Sequence, residues 1–212
     1  MRALVIDDHP LIQEIVPAVL AKALGEVDVA TESTLEAGIA RASREEIPEL
    51  VVLDLGLPGC EGLEALARFR SKFPEVPLVV FSGTTDRASI VAALEAGADG
   101  YIPKTSKPAV MIAALKVVAA GGTYVPPEAL EDAVEEARPA RRRRTAALDL
   151  TERQKQVLRF ILKGYNNERI ASELSIAPNT VKQHAHAIFT ALGVSTRAEA
   201  VIAAARHGLS LG

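Results

Sequence analysis

Cysteine is almost missing from this chain. Cys60 is the single one in 212 residues, which excludes an internal disulfide framework and a cysteine-built zinc site and leaves Cys60 as a small loop residue. Long apolar runs are missing too: Lys, Glu, Arg or Pro interrupts every candidate before the roughly 18 residues that a membrane span needs. The opening stretch, Met1-Arg2-Ala3-Leu4-Val5-Ile6, runs straight into Asp7-Asp8 and is too short for a secretory leader. A cytoplasmic location and no membrane partner are expected. The chain also lacks an internal repeat.

What is present reads as globular. The hydrophobic fraction is 49% and the mean hydropathy +0.17, both high for a disordered chain. The length suits one large domain or two small ones. Net charge is only −3, but it is unevenly spread: residues 1–125 carry 11 Lys and Arg against 17 Asp and Glu, and residues 149–212 carry 8 against 5. An acidic front and a basic back point to two domains with different partners, the rear one plausibly anionic.

The front part alternates short β-branched runs with amphipathic stretches. Strands are predicted at Ala3–Asp7, Val27–Thr31, Leu50–Leu53, Leu78–Phe81 and Asp99–Ile102. Helices are predicted near 10–24, 34–45, 61–72, 86–96 and 107–120. Five βα units imply an α/β doubly wound parallel five-stranded sheet with helices on both faces. Leu50-Val51-Val52-Leu53 and Leu78-Val79-Val80-Phe81 are apolar throughout, as central strands covered on both faces should be. Pro126-Pro127, an acidic stretch (128–137) able to form a short helix, Pro139 and Arg141–Arg144 break this pattern and read as a linker, with the arginine run solvated. From Leu150 onward four short helices are predicted, at 151–162, 167–174, 178–191 and 196–207, with Gly164 and Gly193 at turns. The expected division is 1–122, a linker over 123–148, and an all-α four-helix domain over 149–212.

In an open parallel sheet, functional groups gather beyond the carboxyl ends of the strands. There this sequence places Asp7-Asp8, Asp54, Ser82 and, after Pro103, Lys104. Converging carboxylates would repel one another by roughly several kcal/mol without a cation or proton. The donors are hard oxygens, and among the four histidines only His9 is near, so Mg²⁺ fits better than zinc. A carboxylate beside such an ion, with a lysine and a hydroxyl reaching the same space, is equipped for phosphoryl transfer, Asp54 attacking the phosphorus. Taken singly, each residue has a plainer reading: Asp8 as a turn or cap residue, Lys104 as solvated, Ser82 as an ordinary cap. Their co-occurrence at four strand ends favours the site.

Residues 1–122 resemble the receiver domain of bacterial two-component response regulators, a flavodoxin- or CheY-like fold. The resemblance rests on Val5-Ile6-Asp7-Asp8-His9-Pro10, Val52-Leu53-Asp54-Leu55-Gly56-Leu57-Pro58-Gly59, Val80-Phe81-Ser82-Gly83 and Ala96-Gly97-Ala98-Asp99-Gly100-Tyr101-Ile102-Pro103-Lys104. It implies Asp54 as phosphoacceptor, Mg²⁺ held by Asp7, Asp8, Asp54 and the backbone carbonyl of Gly56, and Lys104 paired with the phosphoryl group. Ser82 and Tyr101 would form the switch: the hydroxyl moves toward the new anion, and the ring enters the space it leaves.

Within 149–212, Asn166–Leu174, Ser175-Ile176-Ala177 and Pro178–Leu192 read as helix, tight turn, helix. Pro178 suits a first helical position. Val181, Ile188 and Leu192 share an inward face, and Lys182, Gln183 and His186 lie opposite. Such a face could enter a major groove or be the solvated side of a small bundle; on composition alone the two stand equal. Residues 150–201 are similar to the LuxR-type helix-turn-helix of the NarL/FixJ group of response regulators, through Leu150-Thr151, Arg153, Val157-Leu158, Gly164, Ile170-Ala171, Leu174, Ile176, Thr180-Val181-Lys182, His184, Leu192-Gly193-Val194 and Arg197. This implies DNA contacts from Asn179, Thr180, Lys182, Gln183, His184 and His186, with Lys182, Gln183 and His186 at base edges. It also implies a dimer contact through the last helix, at Arg197 and Val201, on two-fold related half-sites. Three departures stand out: Ala177 where the family has Ser or Thr, Gln154 and Gln156 in place of glutamates, and Glu168-Arg169 in reversed order.

The resulting expectation is a transcription regulator phosphorylated by a partner histidine kinase and binding double-stranded DNA as a homodimer. It would be no enzyme beyond its own phosphoryl transfer and dephosphorylation. A metal-dependent phosphatase of haloacid-dehalogenase type would need an acid two residues after Asp54, where Gly56 stands. A protein-binding adaptor, or a regulator that works without phosphorylation, would also suit the sequence.

Overall fold

The computed structural model describes residues 1–44, 47–60, 62–130 and 150–206. The chain divides into two compact units, Met1–Ala120 and Gly121–Gly212. In the first, five strands alternate with five helices: β1 (Arg2–Ile6), α1 (Pro10–Leu24), β2 (Asp28–Glu32), α2 (Leu35–Arg44), β3 (Leu50–Leu53), α3 (Glu64–Lys72), β4 (Leu78–Ser82), α4 (Arg87–Glu95), β5 (Gly100–Pro103) and α5 (Pro108–Ala119).

The sheet order is β2-β1-β3-β4-β5, and every pairing is parallel. The order reverses between β1 and β3, so their carboxyl ends flank the crevice where doubly wound sheets bind ligands. β3 and β4 are buried along their whole length, as their uninterrupted apolar runs require. β2, at the edge, is only half-buried. Predicted strand limits move by one residue at four of the five strands, β3 alone being unchanged. The larger difference is at α3, which starts at Glu64 instead of 61. Gly59 and Gly62, at φ +78° and +52°, hold left-handed turns there that a helix cannot include. Gly38 of α2 lies so close to β1 that an added Cβ would sit 2.3 Å from Ile6 Cδ1. Cys60 is a buried loop residue whose sulfur accepts from Arg68 Nη1 at 3.4 Å.

The second unit contains a 3₁₀ turn (Pro127–Ala129), then α6 (Glu152–Leu162), α7 (Asn167–Leu174), α8 (Pro178–Leu192) and α9 (Arg197–Arg206). Most of the stretch expected as an acidic helix, and the whole arginine run 141–144, lie outside the described residues. Thr151 and Gln154 form a reciprocal capping box at the start of α6, a role glutamine fills as well as glutamate. Asn166 caps α7 by accepting from the Arg169 amide at 2.8 Å. Between α7 and α8, Ser175 adopts φ +52°, which makes the tight turn. Ala177 then starts α8 with no side-chain cap. Val157, Leu158, Ile161, Ile170, Val181 and Ile188 form the core, with Val125 packed against it. Among the described residues no single helix is long and apolar enough to cross a membrane.

Candidate functional site

Strand register assembles the acidic site. Ile6 pairs with Leu53, so the residues one step beyond, Asp7 and Asp54, emerge side by side from β1 and β3. Their backbones are pinned by hydrogen bonds from Asp7 N–H to Glu32 O (3.0 Å) and from Asp54 N–H to Ile6 O (2.9 Å). Both side chains are almost wholly enclosed, Asp7 at 1% exposure and Asp54 at 3%. Lys104 reaches them from the far side of β4. The β4–β5 register pairs Ser82 with Pro103, and the Lys104 amide donates to Ser82 O at 2.7 Å. The lysine Nζ then lies 2.8 Å from Asp7 Oδ2 and 2.8 Å from Asp54 Oδ2. Burial alone would pull this ammonium down. Hydrogen bonds and charges from Asp54 and Asp7 outweigh that, and its pKa is raised above the ordinary value.

One cation against this many acidic groups leaves the nest short of positive charge. Asp7 Oδ2 and Asp8 Oδ1 are both buried without a well-directed hydrogen bond, although Lys104 Nζ is within ion-pair distance of the former and His9 Nδ1 lies 2.8 Å from the latter. Buried carboxylate oxygens of this kind suit a hard divalent ion, so the residues present fit Mg²⁺. Gly56 lies against the same group: its N–H donates to Asp54 Oδ1 at 3.1 Å, and a Cβ there would stand 3.4 Å from Asp54 Oδ2.

Ser82 is buried beside the nest and accepts from the Thr84 amide at 3.3 Å. Tyr101 is fully buried, its hydroxyl donating to Thr84 O at 2.8 Å. Burial raises the Tyr101 pKa, and a hydrogen bond to Ser82 offsets part of the rise. The ring is therefore inward, enclosed by the unit. Sequence reasoning missed Thr84, which links Ser82 to Tyr101 through its backbone; a main-chain role leaves no side-chain signal. It placed His9 near the site but gave it no role; its Nδ1 is 2.8 Å from Asp8 Oδ1.

On α8, Val181, Ala185 and Ile188 face the core. Asn179, Lys182, Gln183 and His186 are exposed, and Thr180 and His184 half-buried, so all six expected DNA contacts flank one open face. Arg197 and Val201 point the other way. Arg197 donates to Tyr165 O and to Asn167 Oδ1 (3.3 Å), burial lowering its pKa to about 10, and Val201 belongs to the core. Arg153 donates to Gln156 Oε1 (2.8 Å) and Leu174 O (2.7 Å), so neutral acceptors take over where glutamates were expected.

A doubly wound sheet with an acidic nest at its strand ends, joined to a helix-turn-helix unit, defines a DNA-binding two-component response regulator. Residues 3–116 match the response regulator receiver domain, and residues 148–204 match the bacterial regulatory proteins of the luxR family. The nitrate/nitrite response regulator NarL of Escherichia coli is 35% identical over 201 residues, covering 94% of this chain and 92% of its own. The glycerol metabolism activator of Pseudomonas putida is 30% identical over 208 residues, covering 96% and 94%. Among solved structures, the RcsB response regulator of Salmonella typhimurium shares the fold, with a TM-score of 0.58 at 20% identity over 95% of this chain and 96% of that one. The chain belongs to the NarL/FixJ-type, LuxR-family response regulators, and is thus a regulator and not a classical enzyme.

Proposed function

We propose that Asp54 accepts a phosphoryl group from a partner histidine kinase in a Mg²⁺-dependent reaction, and that the modification controls DNA binding and transcription. The observation that carries this is the buried Asp54 carboxylate with the Lys104 ammonium 2.8 Å away, a nucleophile and a charge-neutralising group in one enclosure. Asp7, Asp8, Asp54 and the Gly56 carbonyl would hold the metal, which supplies charge neutralisation on the phosphoryl oxygens when bound. Asp54 attacks phosphorus, a P–O bond forms to its carboxylate, and the P–N bond to the donor imidazole breaks. Lys104 pairs with one phosphoryl oxygen, and the Ser82 hydroxyl donates to another. Drawing Ser82 toward the anion would release the Thr84 amide, whose carbonyl accepts from Tyr101, which is how the event would reach the α4–β5–α5 surface.

In the rear unit, Lys182, Gln183 and His186 read base edges from α8, while Asn179, Thr180 and His184 hold the helix in place or contact phosphates. A homodimer on two-fold related half-sites fits a fold seen as DNA-bound dimers in RcsB. Arg197 and Val201 would support α9 from within the unit instead of touching a partner. The segment 123–148 would serve as the linker, its first residues packed onto the helical unit at Val125, and the protein would work in the cytoplasm. Intact mass after incubation with Mg²⁺ and acetyl phosphate tests the core of this reading. The wild type should gain one phosphoryl group mapped to the Asp54 peptide, and Asp54→Asn should gain none; labelling that persists in the variant would refute the assignment.

A further inference from the structure

His9 has no role in the reading above, yet its imidazole enters the carboxylate nest. Nδ1 lies 2.8 Å from Asp8 Oδ1, 3.1 Å from Asp7 Oδ1 and 3.9 Å from Asp54 Oδ2. One ligand atom from each of Asp7, Asp8, His9 and Asp54 fits within 4.8 Å of all the others. Ligands adjacent on an octahedral ion at roughly 2.1 Å stand roughly 3.0 Å apart, and opposite ligands roughly 4.2 Å. The first two His9 separations match adjacent positions, and the third falls inside the limit for opposite ones.

The backbone sets this placement. His9 precedes α1 in an extended conformation and makes no side-chain cap to that helix, while its N–H is tied to Asp7 Oδ1 at 3.0 Å. The side chain is 61% exposed, so the ring is free to adjust around an ion. Among the described residues, it is the one nitrogen donor grouped with the three carboxylates. Carboxylate oxygens suit Mg²⁺, whereas an imidazole nitrogen favours first-row transition ions, for which N/O sites tighten from Mn²⁺ through Co²⁺ and Ni²⁺.

We propose that His9 is a ligand in the acidic site, and that this pocket binds Mn²⁺ or Co²⁺ more tightly than Mg²⁺ because of it. The inference rests on the metal reading given under Proposed function. Calorimetric titration of the full chain with Co²⁺ and, separately, Mg²⁺ tests it, using wild type, His9→Ala and His9→Gln. Both variants should bind Co²⁺ at least about tenfold more weakly and shift the visible bands of bound Co²⁺, while Mg²⁺ affinity changes less than about threefold. Equal Co²⁺ affinity with an unchanged spectrum would overturn the proposal and leave His9 a hydrogen-bonding neighbour of Asp8. Equal weakening for both ions would overturn it too, since that marks a disturbed nest and not a lost nitrogen ligand. If the wild type binds neither ion, the metal reading itself falls; if it binds Mg²⁺ and its Co²⁺ affinity is indifferent to His9, only this inference does.

Discussion

At the carboxyl ends of β1 and β3 the charged groups are enclosed and touch one another, whereas along α8 the polar groups are exposed and stand apart. Lys104 holds Asp7 and Asp54 at 2.8 Å each, so the three depend on one another's positions. Lys182, Gln183 and His186 depend only on the helix beneath them, whose Val181 and Ile188 are fully buried. Under the proposed function the front unit stabilises a charge that appears during a reaction, and partners fixed in advance in a low dielectric suit that task. The rear unit meets an anionic surface brought by another molecule. For that, what matters is which way side chains point, not what they touch beforehand.

The contrast can be broken at its strongest point first. Lys104→Ala should slow phosphoryl transfer to Asp54 by about 10²–10³-fold, the usual loss when one donor is removed from a preorganised anion site; stopped-flow or radiolabel kinetics with acetyl phosphate would read it. A fall below about threefold would show that the enclosed lysine is only structural. Lys182→Ala should weaken binding to the preferred operator by about 1–3 kcal/mol if the ammonium meets a base edge. A uniform loss across sequences, with a salt slope lower by about one, would move it to the phosphate backbone; mobility shifts over a salt series separate these. Asp54 labelling should stay as it is in that variant. The smallest effect sharpens the comparison from the scaffold side. Ala177→Ser supplies the missing N-cap of α8 and should stabilise the helical unit by about 0.5–1 kcal/mol, seen as a raised melting midpoint with unchanged operator preference.

Much of the fold was legible because local rules agree with the global arrangement. The apolar runs of β3 and β4, Pro10 and Pro178 at first helical positions, and glycines at 164 and 193 each carry their own signal. Asp7, Asp54, Ser82 and Lys104 were legible because strand-end placement follows once the strands are known. Other features lack such signals. The approach of His9 depends on how the chain turns after β1, which no periodicity encodes. Along α9 the alanines at 198, 200, 203, 204 and 205 stand beside Val201 and Ile202, a stripe that packing within the unit and a dimer contact would share. The late start of α3 depended on glycine conformations that a helical pattern tolerates on paper.

Gly38 bears on the chemistry although it touches none of it. The side chain it crowds belongs to Ile6, the residue immediately ahead of Asp7, and both are sealed inside. A methyl group at position 38 would press on the Cδ1 and Cγ1 atoms of Ile6, and the contact is relieved either by a turn of that side chain or by α2 moving off the end of β1. What this helix position can accept is thus set by how far the Ile6 side chain can give, one residue ahead of the acidic nest.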